Sequence, residues 1–312
     1  MIHWKVAVLI ILAVIPVAGY LYERFGDWND GRRNPAPGRI VPVGDHRLHV
    51  LCKGSGKGSG APTVVIEQGA GEPSRLWWPL QDQVAEFAAV CTYDRAGYGW
   101  SQPAGRGRTI EQRAEELHAL LANGSVQGPY ILVAHSYGGL IARAFAQKYP
   151  GVTGGLVLVD TPEEGCIFRQ DVLDFYSRIG AMMKVVGFLA RFGLPRLLSH
   201  WISLDKVGFP FIRQVEYAAA ADDLASLQLQ PRPKLGNLGR LPLAVITHGR
   251  PFPGPFAILE QGWTEGQERL AALSTRSELI VAKNSNHMIE IDEPAIIVDA
   301  IRRLALTVCN TP

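Results

Sequence analysis

The chain has 312 residues, of which 47% are hydrophobic and 19% charged, which excludes a disordered or fibrous polypeptide. Lysine and arginine (31) nearly balance aspartate and glutamate (29), leaving +2, and no long basic run occurs, so no nucleic-acid partner is expected.

In chain order, residues 6–22 come first and carry no charge between Lys5 and Glu23. A helix of that length reaches about 25 Å, the short end of what crosses a hydrocarbon core. Two readings fit. An uncleaved anchor uses Trp4, Tyr20 and Tyr22 as interfacial residues. A signal peptide uses residues 6–15 as its apolar region and Val17 and Gly19 as the small residues before the cut. The anchor is favoured, and residues 1–26 are assigned to this segment. Residues 27–38 have no apolar period and end in Pro35, Pro37 and Gly38, which reads as a linker.

Short β-rich runs follow at 40–43, 46–52, 63–67, 89–93, 130–134, 156–160, 243–247 and 279–282. Gly44-Asp45 joins the first two as a hairpin. Several later runs alternate with helical patterns; Ile110, Ala114, Leu117 and Leu121, for example, recur at helical spacing. Near-continuous apolar strands such as Tyr130-Ile131-Leu132-Val133 suit a sheet covered on both faces. The fold class expected is α/β, with a mostly parallel eight-stranded sheet flanked by helices.

Residues 162–241 break the alternation. They lack clear strands and carry helical stretches at 171–192 and 211–229, with Met182, Met183, Val186, Phe188, Leu189 and Phe192 on one apolar face. A helical insertion that merely packs on the sheet is one reading. A cap over an apolar pocket is favoured, because flexible methionine and aromatic side chains suit a greasy ligand. The core is then residues 39–161 and 242–312, with the cap between them.

Ala134-His135-Ser136-Tyr137-Gly138-Gly139 stands between the strand at 130–134 and a helical run at 140–149. A serine on so sharp a strand-to-helix turn needs small residues two before and two after it, and Ala134 and Gly138 meet that need. Ser136 is the candidate nucleophile, against the alternative of an ordinary helix-capping serine.

With these elements the chain resembles the alpha/beta hydrolases from about Arg39 to Leu306, and within them bacterial hydrolases with an N-terminal hydrophobic segment. Residues 93–101, Tyr-Asp-Arg-Ala-Gly-Tyr-Gly-Trp-Ser, resemble the family's Asp-x-x-Gly-x-Gly-x-Ser turn. Residues 156–160 resemble its sixth strand, and Asn286-His287-Met288 its histidine loop. Ala134 departs from the usual Gly-x-Ser-x-Gly. The resemblance implies a fold with the cap inserted after the sixth strand. It also implies ester, thioester or amide chemistry, since branches that cleave epoxides or carbon–halogen bonds carry aspartate where Ser136 stands.

Of eight histidines, His287 is expected as the base, in a polar loop after the last strand where ligand sites lie in open α/β folds. His135 is adjacent to Ser136 and diverges from it; His248 reads as structural or pocket-lining. The acid is open between Asp160, at the end of the sixth strand, and Glu260, the first carboxylate after the seventh, with Asp160 preferred. The resemblance makes the backbone N–H groups of Ala70, in Gln68-Gly69-Ala70-Gly71, and of Tyr137 the expected oxyanion donors. The family's strand order places Cys52 beside Cys91, so these two can form a disulfide or remain two buried thiols. No phosphate-cradling loop, dinucleotide fingerprint or metal-ligand spacing occurs, and no cofactor or metal is expected.

The expected function is thus a carboxylesterase-like serine hydrolase with a Ser136–His287–Asp160 triad, acting on esters of hydrophobic small molecules. Thioesterase, lipase, peptidase, acyltransferase and carbon–carbon bond hydrolase share the constellation, and a ligand-binding protein without a working triad is the non-enzyme alternative. The N-terminal segment adds a membrane partner: an anchored protein with an extracytoplasmic, periplasmic catalytic domain, or a secreted one after signal cleavage.

Overall fold

The computed structural model describes residues 2–55, 61–199, 201, 213–229 and 231–309, with the side chains of 2–4 and 6–12 left aside. His200 and the part of the expected cap at 202–212 lie outside these residues.

Eight strands form one sheet in the order β1-β2-β4-β3-β5-β6-β7-β8. The first two, β1 (Arg39–Val43) and β2 (His46–Lys53), are the antiparallel hairpin, and β2 pairs antiparallel with β4 (Ala89–Tyr93). From β4 onward every pairing is parallel, through β3 (Thr63–Glu67), β5 (Tyr130–His135), β6 (Thr153–Val159), β7 (Leu243–His248) and β8 (Ser277–Ala282). All side chains of β3, β5 and β7 are buried, as a sheet covered on both faces demands. The β6 strand begins three residues before the apolar run at 156–160. Glycine has low strand propensity, and at Gly155 a Cβ would press on Leu304 and the Pro242 carbonyl at 3.2 Å.

One face of the sheet carries α3 (Ile110–Asn123) and α4 (Gly138–Lys148), the other α2 (Trp78–Ala85) and α11 (Pro294–Cys309). Between β6 and β7 lie α5 (Glu164–Ile167), α6 (Gln170–Ala190), α7 (Leu194–Ser199) and α8 (Gln214–Ser226). Beyond β7 come α9 (Trp263–Ala271) and, after β8, the short α10 (Ile289–Asp292). Cys52 and Cys91 are Cα partners across β2 and β4, and their sulfurs are bonded.

The N-terminus departs from expectation. Among the described residues no helix is long and apolar enough to cross a membrane, which overturns the anchor, the membrane partner and the periplasmic placement built on it. The expected linker is also partly helical: α1 runs Ile2–Arg33 without a break. The reason lies in its second half, which is charged and tied to α7. Arg196 donates to Glu23 at 2.8 Å and to Asp27 at 3.1 Å, and also pairs with Asp30. A helix end so charged and so held is an element of the folded body rather than a free apolar rod.

Candidate active site

Ser136 directly follows β5 and adopts φ +48°, in the left-handed region that residues other than glycine rarely enter. Two bonds fix this turn: the Ser136 N–H donates to the Val159 carbonyl at 3.0 Å, and Gly139 N–H donates to the Ser136 carbonyl at 3.0 Å. A Cβ at position 138 would stand 2.5 Å from the Gln68 carbonyl oxygen, so the turn closes only on glycine.

The sheet order brings the other two candidates to the same edge. His287 lies between β8 and α10, with Nε2 2.9 Å from Ser136 Oγ and Nδ1 2.6 Å from Asp160 Oδ2. With Nδ1–H donating to the carboxylate, Nε2 is left to accept the serine proton. Asp160 directly follows β6, with φ +44°, and is fully buried. It accepts further bonds from the His248 main-chain N–H at 3.1 Å, from Trp263 Nε1–H at 3.1 Å and from His248 Nδ1–H at 2.8 Å. Burial pushes the Asp160 carboxyl up, but the His248 and His287 bonds outweigh it and hold the group well below the ordinary carboxylate range. Burial draws His287 below its ordinary value against the pull of Asp160, and the charge on His135 acts in the same direction as burial. His287 is therefore neutral at pH 7, the state a base requires.

Glu260, the alternative acid, does not reach His287. Its Oε2 accepts the Phe252 N–H at 3.0 Å, and its Oε1 lies 3.5 Å from His248 Nε2.

His135 diverges from Ser136 as expected, yet it is not idle. Its ring is fully buried, with Nδ1 2.7 Å from Glu72 and Nε2 donating to the His287 carbonyl at 2.9 Å. Burial opposes its charge, but Glu72 and Glu290 raise it to about 10, so it is a cation. Glu72 in turn accepts the Gly69 N–H at 2.9 Å, and the Tyr98 hydroxyl accepts the Gly71 N–H at 3.1 Å. Arg95 holds the Gln68 and Gly69 carbonyls, both at 2.6 Å. The peptides on either side of Ala70 are thus fixed. Tyr137, the other expected donor, caps α4, where backbone N–H groups lack helical acceptors.

Of the segment between β6 and β7, a different stretch than the expected one joins the main core. Val172, Leu173 and Tyr176 of α6, with Ile167 of α5, join the cluster containing Ala70, Tyr137 and Phe252. Met182, Phe188 and Leu189 are exposed instead, because the helix turns that stripe away from the sheet. A cleft of about 390 Å³ between α6 and α8, lined by Met183, Gly187, Phe188 and Ala221, contains none of Ser136, His287 and Asp160.

A model of the alpha/beta hydrolase family matches residues 64–300. The chain belongs to this family. It is 32% identical over 254 residues to the uncharacterized protein YqjL of Bacillus subtilis (strain 168), covering 81% of this chain and 87% of the relative. Among solved structures it is similar to a thermophilic esterase from Thermogutta terrifontis, with a TM-score of 0.64, 22% identity and coverage of 86% of this chain and 98% of the other. It is likewise similar to an esterase from Exiguobacterium antarcticum, with a TM-score of 0.63, 17% identity and coverage of 86% and 99%. At such identities these two likenesses carry the fold.

Sequence reasoning about this hydrolase missed His248 as a partner of Asp160. The signal was present: His248 ends β7, next to β6 in the sheet, and so faces the same edge. Glu72 and Asp223, by contrast, had no local signal.

Proposed function

We propose that the chain is a serine hydrolase that cleaves carboxylic esters of hydrophobic small molecules through an acyl-enzyme. The observation that carries this reading is the unbroken run from Ser136 Oγ through the His287 ring to Asp160, at 2.9 and 2.6 Å, on a strained turn. His287 takes the hydroxyl proton as Oγ attacks the ester carbonyl carbon. The Ala70 and Tyr137 N–H groups receive the oxyanion. Collapse breaks the bond to the alkoxy oxygen, which leaves as the alcohol with the proton from His287. Water, deprotonated by His287, then attacks the acyl carbon. The carboxylic acid departs and Ser136 regains its proton. Asp160 stays ionised throughout, fixing the tautomer and stabilising the imidazolium. Ile167, Leu173, Tyr176 and Phe252 share one apolar cluster with Ala70 and Tyr137, which supports a hydrophobic acyl or alcohol part, and the esterases of like fold support ester chemistry.

The test is hydrolysis of p-nitrophenyl esters from C2 to C12 together with labelling by a fluorophosphonate. Ser136→Ala should lose label and turnover, and Asp160→Asn should lower kcat about ten-thousandfold, the scale known for such an exchange in a serine protease. Turnover surviving in Asp160→Asn would move the acid elsewhere. Labelling that persists in Ser136→Ala would remove the nucleophile assignment.

A further inference from the structure

Asp160 has two histidines on it, not one. Resting on the triad reading above, we propose that His248 is a positioning residue for the acid: it clamps Asp160 toward His287 and weakens that support when it takes up a proton.

The geometry of the clamp is specific. The Asp160 carboxylate hangs from the end of β6 on a backbone in the left-handed region, where nothing in the strand itself sets its direction. His248 grips it twice from the neighbouring strand, with main-chain N–H to Oδ1 at 3.1 Å and ring Nδ1–H to Oδ2 at 2.8 Å. The same Oδ2 receives His287 Nδ1–H at 2.6 Å. One carboxylate oxygen therefore serves two imidazoles, and any charge gained by one ring is felt by the other.

Among the described residues, the groups facing His248 come from β6, the segments around α9 and the loop after β7. Asp160 comes from β6 and Glu260 from the segment before α9, with Oε1 3.5 Å from His248 Nε2. Trp263 of α9 and Phe252 pack on the ring at 5.7 and 4.8 Å between centroids. Phe252 also packs on His287, at 5.0 Å. Both charged neighbours are carboxylates. Burial opposes a charge on His248, but the Asp160 and Glu260 contacts raise its proton affinity, whereas that of His287 is lowered. On acidification His248 charges first. A cation on Oδ2 then makes the carboxylate a poorer partner for the imidazolium that His287 must form in the transition state, and turnover drops before His287 itself is protonated.

The experiment is a pH profile of kcat/KM from 4.5 to 9 on p-nitrophenyl butyrate, with the full chain. The wild type should lose activity in two acid steps, the upper one partial and several-fold. His248→Phe should lower kcat about tenfold to a hundredfold, the scale known in metalloenzymes for losing a group that orients a metal-binding side chain, and show one step. His248→Asn, whose amide nitrogen replaces Nδ1–H but does not titrate, should recover most of that kcat and keep the single step. The surface change Glu260→Gln should move the upper step to lower pH without touching Asp160, which keeps the inference testable if His248→Phe folds poorly. A one-step wild-type profile, or His248→Phe with wild-type kcat, would overturn the proposal. Ser136→Ala separates the two levels: if it is silent while His248→Phe behaves as wild type, only the role of His248 falls; if it turns over normally, the triad falls and the role of His248 with it.

Discussion

The cluster around Asp160 and the cluster around Arg95 lie on either side of the Ser136 turn, and both bury charge almost wholly out of water. They differ in how the charge is met. Asp160 has donors in excess, two imidazoles, an indole and a main-chain N–H, from His248 at the end of β7, Trp263 at the start of α9 and His287 after β8. Arg95 is met charge for charge, by Glu67 at 2.7 Å and Asp223 at 2.8 Å, with Arg113 2.9 Å from the other Asp223 oxygen. The first cluster contains two imidazoles, His248 with its proton affinity raised by its carboxylate neighbours and His287 with its own lowered by burial. The second contains guanidinium groups that keep their charge, and it ties α8 to the loop around Ala70. One is arranged for moving protons and the other for holding shape.

That contrast breaks most sharply under substitution. Asp223→Ala removes the carboxylate that Arg95 and Arg113 share, leaving Arg95 to Glu67 and Arg113 to Asp222, and should cost about 3–5 kcal/mol, the range for removing one partner of a buried pair. Asp160→Asn keeps an acceptor, and asparagine tolerates the left-handed backbone, so it should cost less stability while abolishing turnover. Urea denaturation of both variants beside their ester hydrolysis checks the pair. If Asp223→Ala proved as stable as the wild type, the charge-for-charge account of this cluster would fail.

pH separates the clusters next. His135 is raised from its ordinary value to about 10, against burial, by Glu72 and Glu290, so its contribution to stability is complete below 6.5 and declines as pH rises toward 10. His287 is lowered, so the fold loses stability as pH falls below 6.5, where the unfolded chain takes a proton more readily. The guanidinium groups of Arg95 and Arg113 keep their charge throughout this window. Scanning calorimetry should find the midpoint falling from pH 7 to 10, and His135→Gln should flatten that fall. An unchanged slope in His135→Gln would place the alkaline loss elsewhere.

How much of this was legible beforehand follows the same division. The eight strands, the serine turn and the loop of His287 are written in short local patterns, apolar runs and small residues at fixed offsets. The preference for Asp160 over Glu260 came from the acid position that the family resemblance implies at the end of the sixth strand; in the structure Asp160 lies 2.6 Å from His287 Nδ1, and Glu260 approaches His248 instead. What depends on pairs far apart in the chain was not readable. Arg95 and Asp223 are separated by 128 residues, and Arg196 lies 173 residues from Glu23. No periodicity or spacing announces that such groups meet. The N-terminal helix shows the cost: its apolar first half reads as an anchor, while its charged second half, read as a linker, is what docks it.

That docking offers a third, smaller contrast, an ion-pair clamp with one buried and two more exposed carboxylates. Burial pushes Glu23 above its ordinary value, and Arg196 draws it back. In Arg196→Gln the carboxyl loses its main compensation and rises further, so near neutrality it protonates or leaves the interface. The cost should be about 1–2 kcal/mol, less than for the Arg95 cluster because water screens Asp27 and Asp30. It should also shrink at pH 5, where Glu23 is more readily neutral and needs no partner. Limited trypsin digestion at Arg24, Arg32 and Arg33 reads this directly: cleavage should quicken roughly tenfold at pH 8, and urea midpoints at pH 8 and 5 should converge with the wild type at the lower pH. Ester hydrolysis should be unmoved, since Arg196 contacts nothing that touches Ser136. A variant that resists trypsin as well as the wild type would mean that apolar packing alone holds α1, and that its charged half is incidental to the docking.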